Sequence, residues 1–269
     1  MTDYRVLDEQ SMTQILARYR QACHQRKRYL EETCEHLSKR EAMALKEFRR
    51  RQRDPTKAHN DLWTAWSNYR KKQTSGVTGR LVKQALRDFL EELQNGMCCY
   101  CQRPLVNIAH AKPIEHVLPR VDFIQYTFHF WNLAVACHDC NQLKRAAVWA
   151  NEDKRNVELY PRPAEFTEMY HPRFHRFAEH VRFIRVQTNE HIISIYIGIT
   201  AQGRHLCLNL LKKLAAREIV LNSNPELRQA LEVINAHATA RQDALPSALE
   251  AFQLALADST SALIESAGA

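Results

Sequence analysis

Glycine is scarce in this chain and supplies only 6 of its 269 residues. Beta-rich folds and phosphate-cradling loops draw on glycine, because it adopts positive backbone φ without steric cost. No run of eighteen apolar residues occurs, so no membrane-spanning helix is expected. The first residues also lack the apolar core of a secretory signal. These shortages predict a cytoplasmic, mainly helical α+β protein without a membrane partner.

Cysteine, by contrast, is well represented, with eight residues. Cytoplasmic thiols stay reduced or bind metal rather than form disulfides. Four of the cysteines form two Cys-x-x-Cys pairs, Cys98 with Cys101 and Cys137 with Cys140. Two such knuckles supply four thiolates for one tetrahedral structural zinc. Four buried or free thiols are the alternative, but the paired spacing favours zinc.

Positive charge exceeds negative charge, giving a formal net charge of +8. A basic chain suits a polyanion as partner, although charge alone leaves a basic protein without a nucleic-acid role equally open. The excess is concentrated in residues 39–53, where seven cations face two acids. We predict that four of these cations hold the backbone of such a polyanion: Arg49, Arg50, Arg51 and Arg53. An ordinary solvated helix face is the alternative.

Periodicity divides the chain into three regions. Apolar residues at helical spacing predict helices over about 8–53, 59–72 and 79–94 within a helical N-terminal region, 1–95. Cysteines, histidines and prolines cluster in a second region, 96–150. The third region, 151–269, is mixed and then helical, with a strand predicted over 192–200 and helices over 205–221 and 223–262.

Two side-chain clusters have simple explanations. The aromatic spacing of Trp63, Trp66 and Tyr69 is typical of core packing rather than of base stacking. Three histidines, His171, His175 and His180, alternate with arginines, which indicates a basic surface more than a metal site.

Chemistry-bearing residues lie between and just after the two cysteine pairs. Glu115 and His116 are adjacent, and such a pair offers a hard oxygen ligand and a nitrogen base. A Trp-Asn-Leu sequence containing Asn132 follows, and the second knuckle continues directly into Asn141 and Lys144. Each half-motif is common alone, whereas all of them in this order are not.

This order of motifs resembles the HNH endonuclease superfamily, in its four-cysteine zinc branch, over residues 97–149. The resemblance implies a β-β-α metal finger in which His116 is the general base for an attacking water. It implies that Glu115 and Asn141 ligate a catalytic divalent ion and that Asn132 braces the loop. Asparagine rather than histidine at position 141 suits a hard ion, magnesium or manganese. Three cations of the same segment are then expected at phosphate: Arg120, Lys144 and Arg145.

A looser resemblance points to the HNH nucleases of bacterial anti-phage systems of the Septu or retron-linked kind. It rests on the Cys-Cys-Tyr-Cys-Gln-Arg run, the Glu-His-x-x-Pro-Arg run, residues 171–174, and the strand–helix unit around Gly203. This resemblance implies a defence role and a protein partner such as an ATPase.

The sequence therefore predicts a metal-dependent nuclease that hydrolyses phosphodiester bonds, with DNA as the expected substrate. A non-catalytic zinc-stapled module that binds nucleic acid is the alternative. A third possibility is an adaptor that recruits a protein through its acidic C-terminal helices.

Overall fold

The computed structural model describes residues 8–25, 31–56, 59–70, 78–105, 112–187, 192–221 and 262. They belong to two compact units: Met1–Phe166 with His171–Arg176, and Thr167–Tyr170 with Phe177–Ala269. Helices and two small antiparallel sheets make this a mixed α+β fold, as predicted. No helix within the described residues is long and apolar enough to cross a membrane.

Within the described residues of the first unit, four helices precede the cysteine-rich segment. They are α1 (Glu9–Gln25), α2 (Glu31–Arg53), α3 (Leu62–Ser67) and α4 (Gly79–Leu93). The helix predicted over 8–53 is thus two helices, with 26–30 outside the described residues. The helix predicted over 79–94 is confirmed, and its ends follow local chemistry. The Thr78 hydroxyl accepts from the Leu81 amide at the start, and Asn95 and Gly96 adopt positive φ just after the end.

Helices α3 and α4 approach each other closely at one glycine. A Cβ atom on Gly79 would lie 1.6 Å from the Trp66 carbonyl oxygen, so no larger residue fits. Trp66 is fully buried here, as the core-packing interpretation predicts, whereas Trp63 and Tyr69 are only partly buried. This contact fixes α3, and with it Trp63, beside the centre of the unit.

A two-stranded sheet followed by a short helix lies at that centre. Strand β1 (Ile114–His116) pairs antiparallel with β2 (Leu133–Val135), and Glu115 lies opposite Ala134. Helix α5 (His138–Lys144) follows directly. The Gln94 side chain covers the outer edge of β2, because it accepts from Val135 N and donates to Val135 O, both at 2.8 Å. Helix α4 is thereby tied to the sheet.

The second unit contains a hairpin and helices. Strand β3 (Val181–Gln187) pairs antiparallel with β4 (Ile192–Gly198), from Val181 opposite Gly198 to Gln187 opposite Ile192. The predicted strand is confirmed as β4, and its partner β3 was not predicted. The remaining helices are α6 (Phe177–His180), α7 (Ala201–Leu206) and α8 (Lys212–Leu221), with a π-helical turn over Cys207–Leu211. Of the segment predicted to be helical over 223–262, all but Ala262 lies outside the described residues.

The prediction of a basic histidine surface was wrong. His171, His175 and His180 are all buried. His171 Nε2 lies 2.8 Å from the Tyr160 hydroxyl, and His180 Nδ1 lies 2.7 Å from the Thr200 hydroxyl. Burial holds the pKa of His171 well below its usual value, so its ring is neutral. A neutral imidazole with a hydroxyl partner is readily buried, and the neighbouring arginines concealed this possibility in the sequence.

Candidate metal centre and adjoining His116 site

The two cysteine knuckles meet in space. The sulfur atoms of four buried cysteines lie within 4.8 Å of one another: Cys98, Cys101, Cys137 and Cys140. The Cys101 and Cys137 sulfurs are 3.8 Å apart. A tetrahedral zinc with bonds of about 2.3 Å places its sulfurs about 3.8 Å apart. The four cysteines can therefore hold a zinc ion, and Cys99 is not part of the cluster, as predicted.

Local backbone geometry shapes both knuckles. In the first, Cys98 N donates to the Arg103 carbonyl at 2.9 Å, and Gln102 turns the chain with a φ of 55°. In the second, Cys137 caps α5, and its sulfur accepts from Cys140 N at 3.5 Å. Burial raises the pKa of the Cys98 thiol, and a bound dication would oppose that rise by stabilising the thiolate.

Arg103 connects the two knuckles through its guanidinium. Its Nε donates to the Cys101 sulfur at 3.3 Å, and its Nη2 lies 3.8 Å from the Cys137 sulfur. The same Nη2 donates to Asp139, in the first turn of α5, at 3.1 Å. One cation thus contacts a sulfur of each knuckle and offsets part of the charge of a tetrathiolate centre. In the sequence, Arg103 is only the last residue of the Cys-Cys-Tyr-Cys-Gln-Arg run, and nothing there indicates its contact with both knuckles.

Glu115 is buried beside the cluster and has two partners. Its Oε1 lies 2.8 Å from Lys144 Nζ and accepts from the Tyr100 hydroxyl at 3.3 Å. Burial raises the pKa of Glu115, and the Lys144 ammonium opposes that rise. Lys144 itself has a side chain that is 0% exposed and also donates to the His116 carbonyl at 3.1 Å. Lys144, expected at phosphate, therefore lies inside the protein and neutralises Glu115.

His116 ends β1 with a defined tautomer. Its Nε2 lies 3.0 Å from the Thr127 carbonyl oxygen, which can only accept, so the ring proton sits on Nε2. Nδ1 is then the basic nitrogen. The ring packs edge-on against Trp63, with centroids 4.5 Å apart. Burial lowers the pKa of His116 to about 3, which keeps the imidazole neutral at physiological pH. Its capacity to accept a proton depends on a nearby negative charge that raises this pKa.

Two further cations surround His116. Lys83 Nζ lies 3.9 Å from the Trp63 ring centroid and donates to the Trp63 carbonyl at 3.1 Å. Burial lowers the pKa of Lys83 to about 8. Arg120 Nη1 lies 2.6 Å from Asp61 Oδ1 at the start of α3. Both cations lower the pKa of His116. The sequence indicated Arg120 but not Lys83, whose place appears only when α3 and α4 pack together.

Asn132 fastens the loop between β1 and β2. Its Oδ1 accepts from Leu118 N at 2.7 Å, and its Nδ2 donates to Leu118 O and to Tyr126 O, both at 3.0 Å. The Tyr160 hydroxyl donates to Oδ1 at 3.1 Å. The side chain is fully buried and joins both ends of the loop that carries Thr127, the partner of His116. This geometry suits the bracing role that the resemblance implies.

The remaining residues of the predicted site lie on or just after α5. Asn141 precedes Lys144 by three residues, so the two share one face of the helix. Arg145 ends the helix with a φ of 48°, is exposed, and donates to Gln142 O. Glu115 and His116 are successive strand residues, and their side chains have different neighbours, Tyr100 for Glu115 and Trp63 for His116. The contacts of Lys144 with Glu115 Oε1 and His116 O link these two positions.

The arginines at the end of α2 are largely engaged with acids. Arg49 makes two contacts of 2.6 Å with Glu158. Arg50 and Arg51 pair with Glu47 at 2.6 and 3.2 Å. Arg53 donates to the Arg49 carbonyl. Substrate binding by this cluster stays a prediction, and part of its positive charge is already neutralised.

Comparison with protein-family models, with curated proteins and with solved structures finds no match to this chain.

Proposed function

We propose that this chain is a metal-dependent endonuclease of the HNH type that hydrolyses phosphodiester bonds, with DNA as substrate. One observation carries the proposal, a β-β-α unit that lies beside a four-cysteine cluster and contains three of the predicted site residues. Glu115 contacts Lys144 of the helix, and His116 and Asn132 contact the loop between the strands. A zinc-binding unit without catalytic activity requires the four cysteines, but it does not require a histidine of fixed tautomer next to a buried acid.

The chemistry follows from the His116 tautomer. A water molecule attacks the phosphorus while its proton moves to Nδ1, and the bond from phosphorus to the leaving oxygen breaks. The phosphate's negative charge beside the ring raises the pKa of His116 from its low value, so the base strengthens as substrate arrives. Glu115 and Asn141 would hold a magnesium or manganese ion, which would supply charge neutralisation at the phosphate and leaving oxygen. Arg120, whose charge acts on His116, would add to that neutralisation.

The Lys144–Glu115 ion pair favours a second candidate function. Because an ammonium already neutralises the only carboxylate of the predicted ligand pair, the same fold suits a zinc-stapled module that binds nucleic acid without cutting it.

Plasmid digestion separates the two functions. We expect the purified chain to cut DNA with Mg²⁺ or Mn²⁺, to stop when EDTA removes the ion, and to resume when the ion returns. His116→Ala should slow single-turnover cleavage on the order of 10²- to 10⁴-fold, the usual contribution of a general base. Zinc content and unfolding midpoint serve as folding controls. A wild-type chain that binds DNA and leaves it intact with either ion would establish the second function.

We further propose, on the looser resemblance, that the nuclease acts in anti-phage defence together with a partner ATPase. Phage challenge of bacteria that express both proteins, with His116→Ala as the inactive control, tests this role. Equal phage survival with the wild type and the variant would contradict it.

A further inference from the structure

Lys144 stands out because its charge is fully enclosed and held at three points. Its Nζ lies 2.8 Å from Glu115 Oε1 and 3.1 Å from the His116 carbonyl oxygen. The Trp149 ring centroid is 5.2 Å away on a third side. A lysine fixed in this way cannot swing into solvent as a surface lysine does, so its ammonium group stays beside Glu115.

Both partners of Glu115 approach the same oxygen. The Tyr100 hydroxyl and Lys144 Nζ contact Oε1, so Oε2 is the atom through which an ion would bind. A divalent ion on Oε2 would then sit about 5 to 6 Å from the ammonium, given metal–oxygen bonds of about 2 Å. At such a separation in a partly buried site, two cations repel strongly. Lys144 orients the Glu115 carboxylate and would at the same time repel a divalent ion bound to it.

We propose that Lys144 keeps the divalent-ion site weak in the free protein, so that the ion binds tightly only together with a nucleic-acid phosphate. The phosphate supplies the negative charge and oxygen ligands that offset the ammonium. Lys144 is then a positioning residue that couples ion binding to substrate binding. This inference rests on the proposed function, because it takes Glu115 as an ion ligand.

Manganese titration, followed by the electron paramagnetic resonance signal of free Mn²⁺, tests the coupling without reference to activity. Without DNA, we expect Lys144→Met to bind Mn²⁺ at least tenfold more tightly than the wild type. An oligonucleotide with a non-hydrolysable phosphorothioate backbone should tighten Mn²⁺ binding to the wild type at least tenfold, and to Lys144→Met by much less. Lys112→Met is the matched control, since it removes a lysine from another ion pair, with Glu91. Its Mn²⁺ affinity should stay within about twofold of wild type.

Glu115→Gln distinguishes the two ways in which these ideas can fail. If Mn²⁺ affinity is the same in the wild type, Lys144→Met and Glu115→Gln, then Glu115 is no ion ligand and the catalytic part of the proposed function fails. If Glu115→Gln weakens binding while Lys144→Met binds no better than the wild type, the proposed function stands and the role of Lys144 is overturned. Lys144→Gln, which keeps a donor for both oxygen partners, carries the same expectation if the methionine variant loses its zinc or its fold.

Discussion

Replacing Asn132 should destabilise the loop beside His116. The hydrogen bonds of this side chain allow us to predict the loss in free energy of unfolding. Asn132→Ala removes four hydrogen bonds of 2.7 to 3.1 Å. It leaves the Leu118 amide and carbonyl without their partner in a fully buried position, whereas the Tyr126 carbonyl still accepts from the His129 amide. A hydrogen bond contributes a net 0.5–1.5 kcal/mol, and an orphaned buried group costs about 1–3 kcal/mol. We therefore expect the free energy of unfolding to fall by about 3–5 kcal/mol.

Asn132→Asp isolates the hydrogen bonds from the packing, because it keeps the volume and the oxygen that accepts from Leu118 N. It replaces the donor to the Leu118 and Tyr126 carbonyls with a second oxygen. At neutral pH we expect a loss of similar size. The loss should shrink as pH falls and the buried acid takes up a proton that it can donate.

Urea denaturation followed by tryptophan fluorescence measures these losses, with zinc content checked in every sample. Asn156→Ala, at an exposed asparagine, is the control and should change stability by less than about 0.5 kcal/mol. A loss below about 1 kcal/mol in both Asn132 variants would refute the reasoning, since the loop would then be held by something other than this side chain.

Three further predictions concern charges around the site. The pKa of Glu47 is lowered to about 2, chiefly by its hydrogen bond with Arg50, so its contribution to stability is present above pH 4.5 and lost as pH falls towards 2. Glu47→Gln should therefore lower the free energy of unfolding by up to about 3 kcal/mol at pH 7, and by roughly 0.8 kcal/mol less at pH 4. Denaturation curves of the wild type and the variant at both pH values measure this loss, and a loss that is independent of pH would contradict the prediction. The protein should hold one zinc ion per chain. In competition with a chelator, Arg103→Met should bind zinc about 10- to 100-fold more weakly than the wild type, whereas the control Arg145→Met should bind it equally well. Equal zinc affinities of Arg103→Met and the wild type would refute the role of Arg103. Replacing four arginines of α2 together with alanine should weaken DNA binding in every sequence context and flatten its salt dependence: Arg49, Arg50, Arg51 and Arg53. If neither the DNA affinity nor its dependence on salt concentration changes, these arginines form an ordinary solvated helix face.

Local signals in the sequence predicted the parts of the fold that depend on near neighbours. Helix α4 begins after a capping threonine and ends at Asn95-Gly96, and β4 is rich in β-branched residues. The four-cysteine cluster followed from two spacings alone. The ion pair between Lys144 and Glu115 could not be predicted, because it joins residues 29 apart through the packing of α5 on β1. The position of Lys83 could not be predicted for the same reason, because it depends on the close contact at Gly79.

Burial of the three histidines shows the limit of composition as a guide. Arginine neighbours made His171 and His175 resemble a surface, yet both lie in the core of the first unit. The deciding partner of His171, the Tyr160 hydroxyl, is eleven residues away and carries no recognisable motif. Side-chain partners of this kind become visible only in three dimensions.

A metal ion bound at the four-cysteine cluster would also lower the entropy of the unfolded chain. Cys101 and Cys137 lie 36 positions apart, so a metal bound by both knuckles closes the chain between them into a loop. By analogy with a disulfide, closing a loop of this length removes chain entropy worth roughly 4 kcal/mol from the unfolded ensemble. Glu115, His116 and Asn132 all lie inside that loop, and Asn141 follows one residue after its last knuckle. A structural ion at the four cysteines would therefore shorten the conformational search for the residues that we assign to catalysis, although none of these residues belongs to the cluster.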